Sequence, residues 1–405
     1  MEKTKHSLLI WGLGLSQIVG YGTLYYSFSI LAGDTTKSFG QTQSWFYLIV
    51  SIALISGGVV MPFAGRLFDH FGAANLMVVG SALSAMCMAA TALSTTPMLF
   101  ALAMCAAQIV SSMVLYDAAF TAIVQSGIGA SQNRIMALTL IAGFASSIFW
   151  PFTTLLDSHF GWRNTMLIYA AMNLVFCLPI HLWAAQAGGR VKHNEVPRVP
   201  SSPDTLAEPE MDRATSLRLM ILITAGFSLT GVTLSSILSQ MVPLLQSLGL
   251  GGSSLIVSTL FGPAQVAIRG VNLFFGKGQN PLTISIVALS LLPTALLLLA
   301  LTAPWVAGAV VFAVLVGLAS GLKSIVQGTL PLAVFGRVGY GARLGVMSGV
   351  RYVLAALAPF TFAWSSENFG PRIAAVIFSF IGIVGVLCFF EVARLLRMRG
   401  GLGPV

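Results

Sequence analysis

Twelve times along this chain, about 20 apolar residues run on almost without a charge, and that pattern leaves few folds open. A helix rises about 1.5 Å per residue, so such a run matches the roughly 30 Å hydrocarbon core of a bilayer. The segments begin near Ser7, Ser44, Asn75, Pro97, Arg134 and Arg163, then near Ser216, Ser253, Pro281, Pro304, Ala342 and Pro371. Charged residues make up 8% of the sequence, against roughly 25% for a soluble protein. A water-soluble fold would have too little polar surface, so the expected fold class is an all-α polytopic membrane protein. The first run follows "MEKTKHS" directly and exceeds a signal-peptide core, so it reads as the retained first membrane helix.

The net charge of +9 does not point to nucleic acid, because the bases form no stripe. Fifteen of the Lys and Arg residues fall on one side of the alternating segments. Only Lys37, Arg163 and Arg372 fall on the other. Under the positive-inside rule both termini are expected in the cytoplasm, with the chain multi-pass in the inner membrane. One long polar stretch, rich in Pro, Ser and charge, separates the sixth segment from the seventh. The expected organisation is therefore a six-helix bundle over 1–186, a cytoplasmic linker over 187–215 and a second bundle over 216–405.

The two halves resemble each other. "DSHFGWR" ends at Arg163 and "SENFGPR" ends at Arg372, 209 residues later, the offset that also separates Ser7 from Ser216. Two related six-helix bundles with a substrate between them are a common plan for secondary transporters.

Between the second and third segments stands "GRLFDHFGAA", Gly65 to Ala74. It resembles the signature loop of the major facilitator superfamily, Gly-any-Leu-any-Asp-basic-any-Gly, at Gly65, Leu67, Asp69 and Gly72. His70 stands where Arg is usual, and Ala73 and Ala74 replace a basic pair. Physically, glycines suit a tight turn. The Asp69 carboxylate can lock one conformation by pairing with a base or meeting a helix N-terminus. The resemblance implies a bacterial transporter with the major facilitator fold, twelve helices in two pseudo-symmetric bundles. It also implies that segments 1, 4, 7 and 10 line the cavity, that 2, 5, 8 and 11 flank it, and that 3, 6, 9 and 12 face lipid.

Four charges lie well inside the segments: Asp117 in the fourth, Arg269 in the eighth, Lys323 in the tenth and Arg351 in the eleventh. An ionised group at bilayer depth costs about 3 kcal/mol or more, so such groups face a cavity or each other. Three bases against one acid favour an anionic guest, and Arg binds a carboxylate in two-pronged fashion. Arg269 and Lys323 either face the cavity or snorkel to the nearer surface. Asp117 is either a proton carrier or a fixed partner for Arg134 or Lys323. The base pair on segments 8 and 11 is similar to that of the oxalate–formate and monocarboxylate branch, which would assign Arg269 and Arg351 to a substrate carboxylate.

The first segment carries Tyr21 and Tyr25 one turn apart, beside Tyr26. They either pack or sandwich a flat ring, with Phe149, Trp150 and Pro151 as a further wall. Three transport functions follow in order: an organic anion, a neutral heterocycle or vitamin such as riboflavin, and proton-driven drug efflux. Enzymatic chemistry is not expected, since no nucleophile–base set or metal spacing appears. No cofactor is expected. The expected partners are a small-molecule substrate, the lipid bilayer and a coupling proton, and the chain is expected to be a monomer.

Overall fold

The computed structural model describes residues 2–127, 131–187, 212–276 and 278–398. Helix is the obligatory answer for a bilayer-spanning segment, because every backbone N–H and C=O must be satisfied without water. Helix α1 runs over Glu2–Tyr21, passes through a π-helical turn at Gly22–Tyr26 and resumes over Ser27–Phe39. Helices α2 (Gln43–Phe71) and α3 (Ala73–Leu93) follow. Helix α4 comes in two pieces, Pro97–Ser111 and Tyr116–Gln125. The stretch Ser131–Gln186, 56 residues long, is two crossings. Gly161, at φ 75°, divides it into α5 (131–160) and α6 (162–187). The second half comprises α7 (Arg213–Leu245), α8 (Ser253–Phe275), α9 (Pro281–Thr302), α10 (Val306–Phe335), α11 (Tyr340–Phe369) and α12 (Pro371–Arg397).

Local chemistry sets the ends. Thr42, Thr96 and Asn280 each accept a backbone N–H of the helix they precede. Pro97, Pro281 and Pro371 occupy first-turn positions, where a missing N–H is not needed. Helix α7 already begins at Arg213, inside the stretch read as linker, and most of that stretch (188–211) lies outside the described residues.

The internal repeat has a structural meaning. Gly161 and Gly370 both adopt positive φ, where a side chain would be strained. Each turns the chain so that the next Arg reaches the end of a neighbouring helix. Arg163 donates to Ala92 O and Ser94 O, both at 2.6 Å, at the end of α3. Arg372 donates to Ala303 O at 2.8 Å, at the end of α9. Two of the three basic residues on that side thus satisfy orphan helix carbonyls.

One apolar core lies within α7–α12, around Leu292, Leu296, Phe312, Phe378 and Phe389. Another lies within α1–α6, around Phe46, Phe100, Trp162 and Tyr169. A third joins the halves, with Phe68 and Phe120 against Tyr340 and Leu344. That joint is backbone-close along α2 and α11. A Cβ on Gly345 would lie 2.5 Å from Met61 O, and one on Gly349 would lie 2.7 Å from Gly58 O. Small residues four apart allow this approach. The halves also meet where the first part of α5 packs on α8 and α10, whereas α1 and α7 pack almost entirely within their own halves. The halves are therefore joined on the signature-loop face.

Candidate functional site

Breaks in two helices and a π turn in a third meet between the halves. Helix α4 unwinds over Ser112–Leu115, and Gln17 of α1 donates to the freed Val114 carbonyl at 2.7 Å. In return, Gln108 of α4 donates to Leu24 O in the π turn of α1, also at 2.7 Å. Helix α5 breaks at Gly143–Phe144, where a Cβ on Gly143 would run into the guanidinium of Arg269. Discontinuous helices expose partial charges at their ends, positive at the N-terminus and negative at the C-terminus.

Two of the four buried charges use those ends. Asp117 stands in the first turn of the restarted α4. Its Oδ1 accepts from Ser348 Oγ at 2.7 Å, its Oδ2 accepts from Tyr352 Oη at 3.4 Å, and Arg351 Nη2 lies 3.7 Å from that same Oδ2. All three partners are on α11, so the carboxylate ties the halves together. The sequence offered Arg134 or Lys323 as its partner; the ion pair is with Arg351 instead. Arg351 Nη2 also donates to Ser348 Oγ at 2.9 Å, and its guanidinium lies 5.0 Å from the Tyr352 ring centre.

Arg269 does not snorkel. It is 5% exposed and donates to Thr139 O at 3.1 Å, in the last turn before the α5 break. A helix C-terminus is a favourable site for a cation. Its Nε has no hydrogen-bond partner among the described residues. Tyr26 and Tyr116 are its neighbours across the cleft.

Lys323 is the group left over. It is 4% exposed, and among the described residues no hydrogen bond or ion pair reaches its Nζ. Its charged neighbour is another base, Arg351. Both border the space over Gly231 of α7, where a Cβ would lie 3.2 Å from Lys323 Nζ and 3.5 Å from Arg351 Cγ.

The opposite wall is aromatic. Tyr21 and Tyr25 have ring centroids 6.2 Å apart, Tyr25 and Tyr26 5.3 Å, and Tyr21 and Tyr116 4.6 Å. Trp150 meets Tyr26 at 6.1 Å, while Phe149 is buried beneath Gly22. Sequence reading missed Ser348, Tyr352, Tyr116, Gln17 and Gln108. Ser348 lies one turn before Arg351, and the glutamines are amides in otherwise apolar segments, which is the signal that marks them.

At the signature loop, Gly65 lies against Gly341, and Gly72 ends α2 at φ 86°. Asp69 accepts from Gly341 N at 3.0 Å and from Ala342 N at 2.8 Å. These are unsatisfied N–H groups at the start of α11.

The family model described as Major Facilitator Superfamily matches residues 10–359. The chain belongs to this superfamily. Superfamily membership makes it a multi-pass membrane protein that moves a small molecule by secondary transport, not an enzyme. Among solved structures, the chain is similar to the proton:xylose symporter XylE bound to 6-bromo-6-deoxy-D-glucose, at TM-score 0.72 and 14% identity, covering 95% of this chain and 96% of that one. It is also similar to the human organic anion transporter MFSD10 (TETRAN), at TM-score 0.69 and 16% identity, covering 96% of this chain and 100% of that one. At such identities the likeness is one of fold. No curated protein sequence matches the chain.

Proposed function

We propose that this facilitator carries a small organic anion by alternating access, with its carboxylate received at Lys323 and Arg351. The observation that carries the reading is the Lys323 side chain, buried beside Arg351 with no hydrogen bond or ion pair among the described residues. A charge taken out of water without a partner is unfavourable, and an incoming carboxylate supplies what is missing. Arg269 adds to the positive field from the α5 break. A neutral sugar or vitamin would leave Lys323 without a counter-charge.

Asp117 completes the proposal as the coupling group. While ionised it holds Arg351; once protonated it releases the guanidinium to the anion, so that anion and proton travel together. In this reading the bundles over 1–186 and 216–405 rock about the α2–α11 joint. Asp69, Gly65 and Gly72 hold the signature-loop face shut, and that face and both termini are cytoplasmic, the orientation that the Lys and Arg distribution favours.

Ligand-induced stabilisation of the purified protein tests the substrate class. At a hundredfold excess over Kd a bound ligand adds about 2.7 kcal/mol. Mono- and dicarboxylates are expected to raise the melting temperature of the wild type and not of Lys323→Gln, and proteoliposome uptake is expected to follow the same order. Stabilisation by riboflavin or sugars alone, or a carboxylate response unchanged in Lys323→Gln, would overturn the reading.

A further inference from the structure

We propose that the transported anion is an aryl carboxylate, its ring held by the α1 tyrosines and its carboxylate by Lys323. This rests on the organic-anion reading above and narrows it.

The two walls of the cleft differ in chemistry. The second half presents cations, Lys323 and Arg351; the first half presents rings, Tyr21, Tyr25 and Tyr26, with Tyr116 and Trp150 beside them. Tyr21 lies 4.6 Å from Tyr116, the residue before Asp117, and Asp117 meets Arg351 at 3.7 Å and Tyr352 at 3.4 Å. The ring wall and the cation pair therefore face each other across the cleft. A guest that satisfies both needs an anionic end and an apolar, ring-compatible body.

The backbone is specialised to make that wall. In a regular α-helix Tyr21 and Tyr25 share a face and Tyr26 turns away from it. The π turn at Gly22–Tyr26 replaces i→i+4 bonds by i→i+5 bonds, which brings residues five apart over one another. Tyr26 consequently comes to 6.2 Å from Tyr21, the same separation as Tyr25. The irregular turn is held from two sides. Gln108 donates to Leu24 O at 2.7 Å, and Asn173, at the start of a second π turn in α6, donates to Thr23 Oγ1 at 3.1 Å. Gly22 lies against the Phe149 ring, which leaves no room for a side chain.

The rings are arranged for a further ring. Tyr25 meets Tyr26 edge to face, with planes at 86°, and meets Tyr21 at 76°. Such pairs use ring edges as positive partners of ring faces. Tyr25 remains 46% exposed at the middle of a membrane helix, in contact distance of the cleft-lining Tyr26. A saturated body would gain burial there but not the edge-to-face attraction, so the wall discriminates between an aromatic ring and a cycloalkane of similar size.

Matched pairs of probes separate the two. Thermal stabilisation of the full-length chain would be titrated with benzoate against cyclohexanecarboxylate and phenylacetate against cyclohexylacetate, with benzamide as the uncharged ring. Titrations run to about 10 mM, ten times a 1 mM dissociation constant. In at least one pair the aryl acid is expected to bind about tenfold more tightly than its saturated partner, with no response to benzamide. In Tyr25→Leu the ratio is expected to fall to about twofold while the saturated acid binds as before; Trp150→Leu provides the same readout should the first variant not fold. Equal affinities within both pairs would overturn the ring subsite and leave the anion reading standing. Benzamide binding as well as benzoate, or no carboxylate response at all, would overturn both.

Discussion

Replacing Gly345 by alanine should push the transporter toward the state open on the signature-loop face. The added Cβ would lie 2.5 Å from Met61 O and 3.0 Å from Gly65 Cα. Ordinary contact begins near 3.4 Å, so α2 and α11 would have to part by about 0.9 Å along that line. Both opposing atoms belong to the backbone, so no change of rotamer relieves the overlap. Overpacking of this kind costs about 1–3 kcal/mol. Once the joint has parted, the alanine meets nothing, so the penalty falls on one state only. At about 1.4 kcal/mol per tenfold, the equilibrium moves by roughly 5- to 140-fold. Spin labels at His70 and Val338, both exposed on the signature-loop face, would report it as a longer pair distance in a background without the four native cysteines. Gly33→Ala is the control, since nothing lies within 4 Å of a Cβ there. A folded Gly345→Ala protein with the wild-type distance distribution would refute the argument that this contact holds the closed face.

Asp69→Asn leaves one acceptor for the two N–H groups of Gly341 and Ala342. The loss of about 1–3 kcal/mol should shift the same spin-label distance in the same direction, and an unchanged distribution would count against Asp69 as a clasp. Arg163→Ala removes two charged hydrogen bonds to helix ends and Arg372→Ala removes one. At about 1.5–3 kcal/mol per bond, the melting temperature in detergent should fall further for Arg163→Ala. Gln108→Leu strips the donor from Leu24 O and should destabilise the protein by about 1–3 kcal/mol, read from the same melts. By contrast, Lys37→Ala breaks only an exposed pair with Asp34, with side chains 80% and 47% accessible. It should change stability by no more than about 0.5 kcal/mol and leave transport intact in proteoliposomes.

The spans were legible in the sequence because a bilayer leaves each apolar run a single solution. Whether Pro281–Thr302 or Pro371–Arg397 is helical depends on its own residues, not on its neighbours. The duplicated Gly–any–Arg and the signature loop were legible for a related reason: a turn with positive φ and a short capping side chain are local devices. The buried charges could be found but not paired. Asp117 and Arg351 meet only because α4 and α11 come from different halves and touch below the cleft, which no local pattern encodes. The helix breaks were equally hidden. Ser112–Leu115 reads as part of a continuous apolar run, and its unwinding depends on a donor, Gln17, carried by another helix. The same holds for the π turn that gathers the tyrosines, which needs Gln108 and Asn173 from α4 and α6. Composition could therefore count three buried bases and one acid, whereas only the packing of distant helices decided that Arg351 is matched, that Arg269 rests on a helix end and that Lys323 has no partner.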